Sequence, residues 1–446
     1  MNSPLHERGS AMLDHRADTE RLIFVGTSDL AGLVRGKAFP AADLEKRVVS
    51  GVGLTGSNIM ISAFGPIYAT PFGTLGDLKL VPDMNARARV PLADGGETEL
   101  VLGDIRSLDG ADWPACPRAF LRRGLDALEG EFGLRLLAAF EHEFVYTGVA
   151  EQPGSSYSFD RFRRAGRFGG RALATLRSAR IIPDSFLPEY GERQFEVTVK
   201  PRRGMRAADD AVLLREIFRA CAAAEGARAT FAPVLEPDGI GNGTHIHFSL
   251  HDCFDHPVMY DAAGPYGISS IGGSFVGGII QHMPALTALT APSVASFFRL
   301  RPNKWAPTWA NIGDHDRGAS LRVCPIFEAG ADAAQQFNIE YRIGDATASP
   351  YLALGAIVHA GLDGLRRALP LPDHPQGGAP DFAAAGVQPL PRSLAQALDL
   401  LEASPVAATW FGDEFRSAYL LFKRSEIAAV AHLTDEAICE RYAQVY

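Results

Sequence analysis

Glu141 and Glu143 stand two residues apart in the stretch Phe140-Glu141-His142-Glu143-Phe144-Val145-Tyr146. Read as a β-strand, it turns both carboxylates to one face and Phe140, His142 and Phe144 to the other. Two carboxylates on one face repel in a low dielectric unless cations sit beside them. A lone Glu-x-Glu pair is satisfied by a solvated edge strand. Three further stretches repeat the design, however. Gln194, Glu196 and Thr198 alternate with Phe195, Val197 and Val199; His245, His247 and Ser249 alternate with Ile246, Phe248 and Leu250; Glu340 and Arg342 alternate with Ile339, Tyr341 and Ile343. Each stretch has one apolar face and one face of Glu, His, Gln or Arg. The simplest assembly is a curved sheet whose concave side holds hard divalent cations on carboxylate oxygens and one or two imidazoles.

Such a sheet needs helices to cover its apolar face, and the chain supplies them. Ala119–Phe132 and Ala208–Glu225 have helical spacing, the second with Val212, Leu213, Ile217, Phe218 and Cys221 on one stripe. Further helices are expected over Gly273–Ala288, after Pro350, and over Ser393–Leu401, Asp413–Arg424 and Thr434–Val445. The glycine loop 239–243 leads into the His245 strand, and the proline- and glycine-rich stretch Leu369–Pro391 reads as a surface loop. Before all this lies a smaller α+β unit. Arg21–Val25 reads as a strand and 29–37 as strand, turn, strand; Phe39–Asp43 reads as a helix start and Gly51–Gly73 as loop. Asp77–Asp83 alternates and is expected to stop at Pro82, and Thr98–Ile105 is another strand. The unit ends at Trp113-Pro114-Ala115-Cys116-Pro117.

A chain of 446 residues exceeds one simple core, and two domains are expected, over 21–113 and 114–446, behind a polar tail over 1–20 expected to be disordered. Hydrophobic content of 47% with 21% charged residues is ordinary for a globular protein. A net charge of −9 argues against nucleic acid as partner, and no apolar run reaches membrane-spanning length. The five cysteines form no CxxC pair, which suggests reduced thiols and a cytoplasmic setting.

The chain resembles the glutamine synthetase family from about Asp29 to its C-terminus. The resemblance rests on Asp29-Leu-Ala-Gly-Leu-Val-Arg-Gly-Lys37, Asp77-Leu-Lys-Leu-Val-Pro-Asp83, Glu141-His-Glu-Phe144, Glu189-Tyr-Gly-Glu-Arg-Gln-Phe-Glu196, Gly241-Asn-Gly-Thr-His-Ile-His-Phe-Ser249 and Glu340-Tyr-Arg-Ile-Gly-Asp345. Ser349-Pro-Tyr-Leu-Ala-Leu354, Leu390-Pro-Arg-Ser-Leu394 and the tail pattern Tyr419, Lys423-Arg424-Ser-Glu426, Asp435-Glu436 also match. The order and separation of these stretches make the match specific. It implies an α+β protein with an N-terminal β-grasp domain and a C-terminal catalytic domain, a bent antiparallel sheet flanked by helices. It also implies rings, usually dodecamers, with active sites between the β-grasp domain of one copy and the catalytic sheet of the next.

Carried over position by position, the resemblance implies two Mg²⁺ or Mn²⁺ sites, one on Glu143, Glu189 and Glu196, the other on Glu141, His245 and Glu340. ATP would be contacted by His247, Ser249, Arg322 and Asp184. Arg317 and Arg299 would be the catalytic residues, Arg317 acting on the transferred phosphate. Arg299 and Arg342 would hold the carboxylates of the acidic amino acid, with the backbone at Gly241 close to it. The implied reaction is ligation of glutamate, or a related acid, to an amine through an acyl phosphate.

Four positions depart from the family pattern. Thr55 stands where ammonia-using members carry an aspartate for ammonium. Trp305, in Leu300-Arg-Pro-Asn-Lys-Trp-Ala-Pro307, stands where they carry a flap glutamate. Ile240 replaces an asparagine that touches the amino acid, and Arg193 replaces a glycine. Loss of both anionic groups points to an organic amine, for which Trp305 offers an aromatic face. Two alternatives stay open: an authentic glutamine synthetase using ammonia, and a catalytically silent homologue that forms rings.

Overall fold

The computed structural model describes residues 20–73, 76–327, 332–377 and 380–446; all but the last residue of the expected tail lies outside them. Two sheets organise the chain. The first is five-stranded, built from β1 (Leu22–Ser28), β2 (Val34–Pro40), β3 (Val52–Thr55), β4 (Asp77–Pro91) and β5 (Glu97–Ser107) in the order β2-β1-β5-β4-β3. β1 and β5 run parallel and the other pairs antiparallel, with helix α1 (Leu44–Ser50) against β4. This is a β-grasp arrangement.

Three expectations for this unit need correction. Helical turns begin only at Ala41, because Phe39 and Pro40, read as a helix start, still pair with β1 in β2. β4 does not stop at Pro82 but runs on to Pro91. Its pairing with β5 shifts register between Pro82 and Arg87, and at such an irregularity a proline interrupts no ladder. The stretch read as loop from Gly51 contains the edge strand β3 and a 3₁₀ turn over Gly56–Met60.

The second sheet has nine strands. In chain order they are β6 (Leu134–Tyr146), β7 (Pro183–Pro188), β8 (Gln194–Val199), β9 (Arg202–Arg203), β10 (Ala229–Thr230), β11 (Thr244–Asp252), β12 (Ile312–Asp314), β13 (Leu321–Val323) and β14 (Ile339–Tyr341). The main order is β12-β13-β14-β11-β6-β8-β7, with β9 and β10 also pairing β6. β6 alternates buried and half-exposed residues along almost its whole length, as its sequence pattern requires.

The helices in chain order are α2 (Pro117–Phe132), α3 (Phe159–Ser178), α4 (Gly204–Ala223), α5 (Ser270–Thr290), the single turns α6 (Ser296–Arg299) and α7 (Ala333–Gln336), α8 (Pro350–Arg366), α9 (Leu394–Ala403), α10 (Pro405–Phe411), α11 (Asp413–Val430) and α12 (Asp435–Ala443). Their ends carry ordinary signals. Pro117 opens α2 and Gly133 ends it at φ 64°, a left-handed position that glycine takes without strain. α2 and α4 pack against β6, and α8 packs against α2 and α5.

A buried arginine joins the two units. Arg118 on α2 pairs with Asp83 on β4 at 2.6 Å, Asp104 on β5 at 3.0 Å and Asp209 on α4 at 2.9 Å, and Tyr351 of α8 donates to Asp209 at 2.8 Å. Among the described residues no helix is long and apolar enough to cross a membrane, and the five cysteines are free thiols.

The helical layer also holds a pH-sensitive group away from the polar sheet face. His359 of α8 is buried, its ring centroid 4.7 Å from that of Phe120 and 6.0 Å from that of Trp410. Burial, with Arg123 and Arg366 nearby, lowers its pKa to about 4. The unfolded chain protonates this imidazole near pH 6.5, so the unfolded state binds more protons between the two values. Stability from this group is therefore constant above about pH 6.5 and falls by about 1.4 kcal/mol per pH unit below it, down to about pH 4. His359→Gln keeps a donor for the Phe120 carbonyl, 3.3 Å from the native Nε2. Thermal midpoints of the two proteins compared at pH 7 and 5 should show a shallower acid loss in the variant.

Candidate active site

The register of the second sheet brings the sequence-predicted side chains into cross-strand pairs. Glu143 on β6 lies directly opposite Glu196 on β8, and Glu141 opposite His245 on β11. On the other side of β11, His247 faces Glu340 on β14, which in turn faces Arg322 on β13. Side chains directly opposite in antiparallel strands share a face within contact distance. His245 Nδ1 lies 2.9 Å from Glu141 Oε1 and 3.4 Å from Glu340 Oε1. His247 Nε2 lies 3.4 Å from Glu141 Oε2. Ligand atoms of Glu141, His247 and Glu340 all lie within 4.8 Å of one another.

Glu143 and Glu189 are held by neighbours. The Gly243 N–H donates to Glu143 Oε2 at 2.7 Å. Glu189 Oε2 accepts from the Tyr157 hydroxyl at 2.7 Å and from the Tyr190 N–H at 2.9 Å. The glycine loop must come this close. A Cβ on Gly243 would stand 2.8 Å from His245 Nε2, and one on Gly241 would overlap the Arg299 side chain.

The electrostatics show too much acid for the cations present. Burial, reinforced by the charges of Glu141 and Glu143, pushes the Glu196 carboxyl up to about 10. Burial and the Glu143 charge raise Glu189 as well. Burial also opposes charge on Glu141, but hydrogen bonds from His245 and His247 outweigh it and hold that carboxyl well below the usual range. Glu340 is held low against burial by His245 and Arg342. His247 is raised well above an ordinary imidazole: contacts with Cys324 and Glu141 overcome its burial. A cluster of five carboxylates with imidazoles beside them and no thiolate among the expected ligands fits a hard divalent cation.

Beside the cluster lies a cavity of about 250 Å³. Glu141, Asp184, His247 and Ser249 line it together with Val199 and Phe337. Three of the residues expected on ATP thus meet in one cavity. The fourth, Arg322, donates to Glu340 at 2.9 Å, and Arg342 pairs with the other oxygen of the same carboxylate. Arg299 is buried and donates to the carbonyls of Ile343 and Gly344.

Three expected site residues have no side-chain hydrogen bond or ion pair to the cluster among the described residues. The Arg317 side chain is exposed, and among the described residues only its carbonyl is engaged, by Arg342 Nε at 3.0 Å. Thr55 belongs to the first sheet, where it closes a capping box with Asn58. Trp305 is 81% exposed, in a segment without regular structure.

The structure adds residues that sequence reasoning missed. Tyr157 reaches Glu189 from the loop after β6. Asn338 Oδ1 lies 2.9 Å from His247 Nδ1, and Cys324 Sγ lies 3.7 Å from the same nitrogen. Asn338 and Cys324 each lie two residues from an expected site residue, Glu340 and Arg322, a signal that could have flagged them. Tyr157 has no such signal. Arg193, where the family has glycine, adopts φ 51°, and its N–H is taken by Glu151 at 2.7 Å.

Comparison with known proteins agrees with this geometry. The family model of the glutamine synthetase N-terminal domain matches residues 9–113, and that of the catalytic domain matches 114–442. A gamma-glutamylpolyamine synthetase of Streptomyces coelicolor is 34% identical over 94% of this chain and 92% of its own length. The glutamine synthetase of Pyrococcus furiosus is 30% identical over 95% and 93%. A glutamate–isopropylamine ligase of a Pseudomonas species is 28% identical over 97% and 96%. A solved structure described as a novel glutamine synthase homolog superposes with a TM-score of 0.90 at 39% identity, covering 96% of this chain and 99% of that one. The GmaS/ADP complex gives 0.77 at 26% identity, covering 94% and 96%. With both family models matched across nearly its whole length, the chain belongs to the glutamine synthetase family of ATP-dependent carbon–nitrogen ligases.

Proposed function

We propose that this ligase joins glutamate, or a closely related acid, to an organic amine rather than to ammonia. The observation that carries the reading is Trp305. It stands exposed where a flap carboxylate would meet ammonium, and no acid occurs in the segment 300–307. Ammonium is small and cationic and must lose a proton before it attacks. Without an acid at positions 55 and 305 the site lacks the counter-charge and the base that those two positions would give ammonium, whereas an aromatic face holds an alkyl or aromatic body. The relatives named for polyamine and isopropylamine ligation support the same direction.

A carboxylate does not react with an amine until a leaving group is installed. ATP supplies one by phosphorylating the γ-carboxylate, and the amine then displaces phosphate. In this reading Glu141, His245 and Glu340 hold one divalent cation, Mg²⁺ or Mn²⁺, and Glu143, Glu189 and Glu196 hold another. Such cations neutralise charge on the phosphates when bound. Asp184, His247 and Ser249 receive the nucleotide in the 250 Å³ cavity, with Arg322 at its phosphates. Arg299 and Arg342 hold the carboxylates of the acid beside the Gly241 backbone, and Arg317 swings in to the transferred phosphate. Thr55 meets this site from a neighbouring copy in a ring.

The test is phosphate release with ATP, glutamate and a panel of alkyl, hydroxyalkyl, polyamine and aromatic amines beside ammonia. The expected result is a kcat/KM for the best amine at least about tenfold above that for ammonia. Preference for ammonia over every amine would make the chain a glutamine synthetase in the strict sense. Silence with all of them would leave the ring-forming homologue.

A further inference from the structure

A cavity of about 510 Å³ lies beside α6, outside the metal and nucleotide cluster, within the size range of small-molecule sites. Phe297, Phe298, Leu300, Trp309 and Leu390 give it an apolar wall. Arg301 and Arg392 are its charged lining residues, and among the described residues no Asp or Glu lines it. Neither arginine is well neutralised. The Arg392 guanidinium has no hydrogen bond or ion pair among the described residues; only its backbone N–H is engaged, by Gln396 at 2.8 Å. Arg301 lies over the Phe298 ring, 4.7 Å from its centroid, and its nearest acid is Asp238 at 3.8 Å, a side chain 94% exposed.

An inorganic anion would satisfy the arginines and leave the apolar wall wet. A neutral hydrocarbon would cover the wall and leave both cations unused. An organic acid with an apolar body does both. We propose that this cavity is a regulatory binding site for an amphipathic organic carboxylate, held at its charged end by Arg392 and Arg301. Phe297, Phe298, Leu300 and Trp309 cover the apolar body.

The cavity is mechanically coupled to the active site. Phe297 and Phe298 belong to the single turn α6, and the next residue, Arg299, turns the other way, to the Ile343 and Gly344 carbonyls and over Gly241. Leu300, Arg301 and Pro302 open the segment that carries Trp305. Occupancy therefore bears on Arg299 and on the flap root together, and shifts the KM for acid or amine. That kinetic consequence rests on the amine-ligase reading; binding itself does not, so the two fail separately.

Calorimetric titration of the assembled protein at saturating ATP tests the site, with octanoate and 4-phenylbutyrate as probes and their primary amides as neutral controls. The carboxylates should bind at least about tenfold more tightly than the amides. Arg392→Gln, a change at an exposed residue, should bring the carboxylates down to the affinity of the amides. Absence of binding at about 10 mM probe overturns the proposal, whether or not a neighbouring copy covers the groove. Equal binding of acid and amide, or affinity unmoved by Arg392→Gln, overturns it too.

Discussion

Glu340→Gln is expected to lower kcat/KM by about a thousandfold, the loss typical of removing one group that stabilises charge in a closed site. Glu340 is 1% exposed and is the point where three cationic or cationisable groups converge: Arg322, Arg342 and His245. Two roles are therefore possible for it, and they separate experimentally. As a counter-ion alone, Glu340 holds the two arginines; its neutralisation destabilises the protein by about 3–5 kcal/mol, as breaking a buried pair does, and Mn²⁺ affinity stays put. As a metal ligand it also sets that affinity, and titration of the variant with Mn²⁺ should show at least about a tenfold loss. We expect both a lower thermal midpoint and weaker Mn²⁺ binding. Unchanged Mn²⁺ affinity would remove Glu340 from the ligand set. Glu196→Gln is the contrasting control. Its carboxyl is already neutral at pH 7 in the metal-free protein, so the amide mimics the resident state. It should weaken Mn²⁺ binding with little loss of metal-free stability.

The polar strand faces were legible because period-two alternation survives in a half-buried strand. Phe140, His142 and Phe144 had to point one way, so Glu141 and Glu143 had to point the other. The pairings were not legible. Nothing local says that Glu143 meets Glu196 or that Glu340 meets both His247 and Arg322, because register is set by the whole sheet. Tyr157 was invisible for a related reason: a loop brings it to Glu189, and loops carry no period. Helix α3 is not legible in the sequence although Ala165, Phe168, Ala172 and Leu176 face the core at helical spacing. Gly166, Gly169 and Gly170, poor helix formers, sit among them and blur the pattern, with arginines filling the rest. β4 runs past Pro82, where the sequence alone predicts a stop, because a register shift accommodates the proline. The resemblance supplied what strand patterns could not, namely Glu189, Arg299, Arg317 and Asp184. Among the described residues Arg317, Trp305 and Thr55 have no side-chain hydrogen bond or ion pair to that cluster.

Trp305→Ala is expected to cost kcat/KM for the preferred organic amine about tenfold or more and to leave the ammonia reaction unchanged. The side chain is 81% exposed at φ 55°, and Asn303, two residues before it, is at φ 64°. Bulky residues seldom adopt positive φ, so the segment holds an unfavourable backbone while showing its largest apolar side chain to solvent. Both features suit a flap whose tryptophan closes over something. A tryptophan offers about 150–250 Å² in all, and covering about 60 Å² of it with a substrate's alkyl body contributes about 1.5 kcal/mol. That is about a tenfold preference over ammonia, which has no alkyl body to bury. Adding charge should move selectivity the other way. Trp305→Glu combined with Thr55→Asp gives ammonium a counter-charge and a base, and should raise kcat/KM for ammonia while that for the amine falls. The rival role for Trp305 is an anchor that packs inward and merely orders the flap. An anchor lost to alanine lowers both reactions by the same factor, so the ratio of amine to ammonia kcat/KM decides between them. A ratio unchanged in Trp305→Ala would withdraw Trp305 from amine selection and with it the main support for an organic-amine substrate.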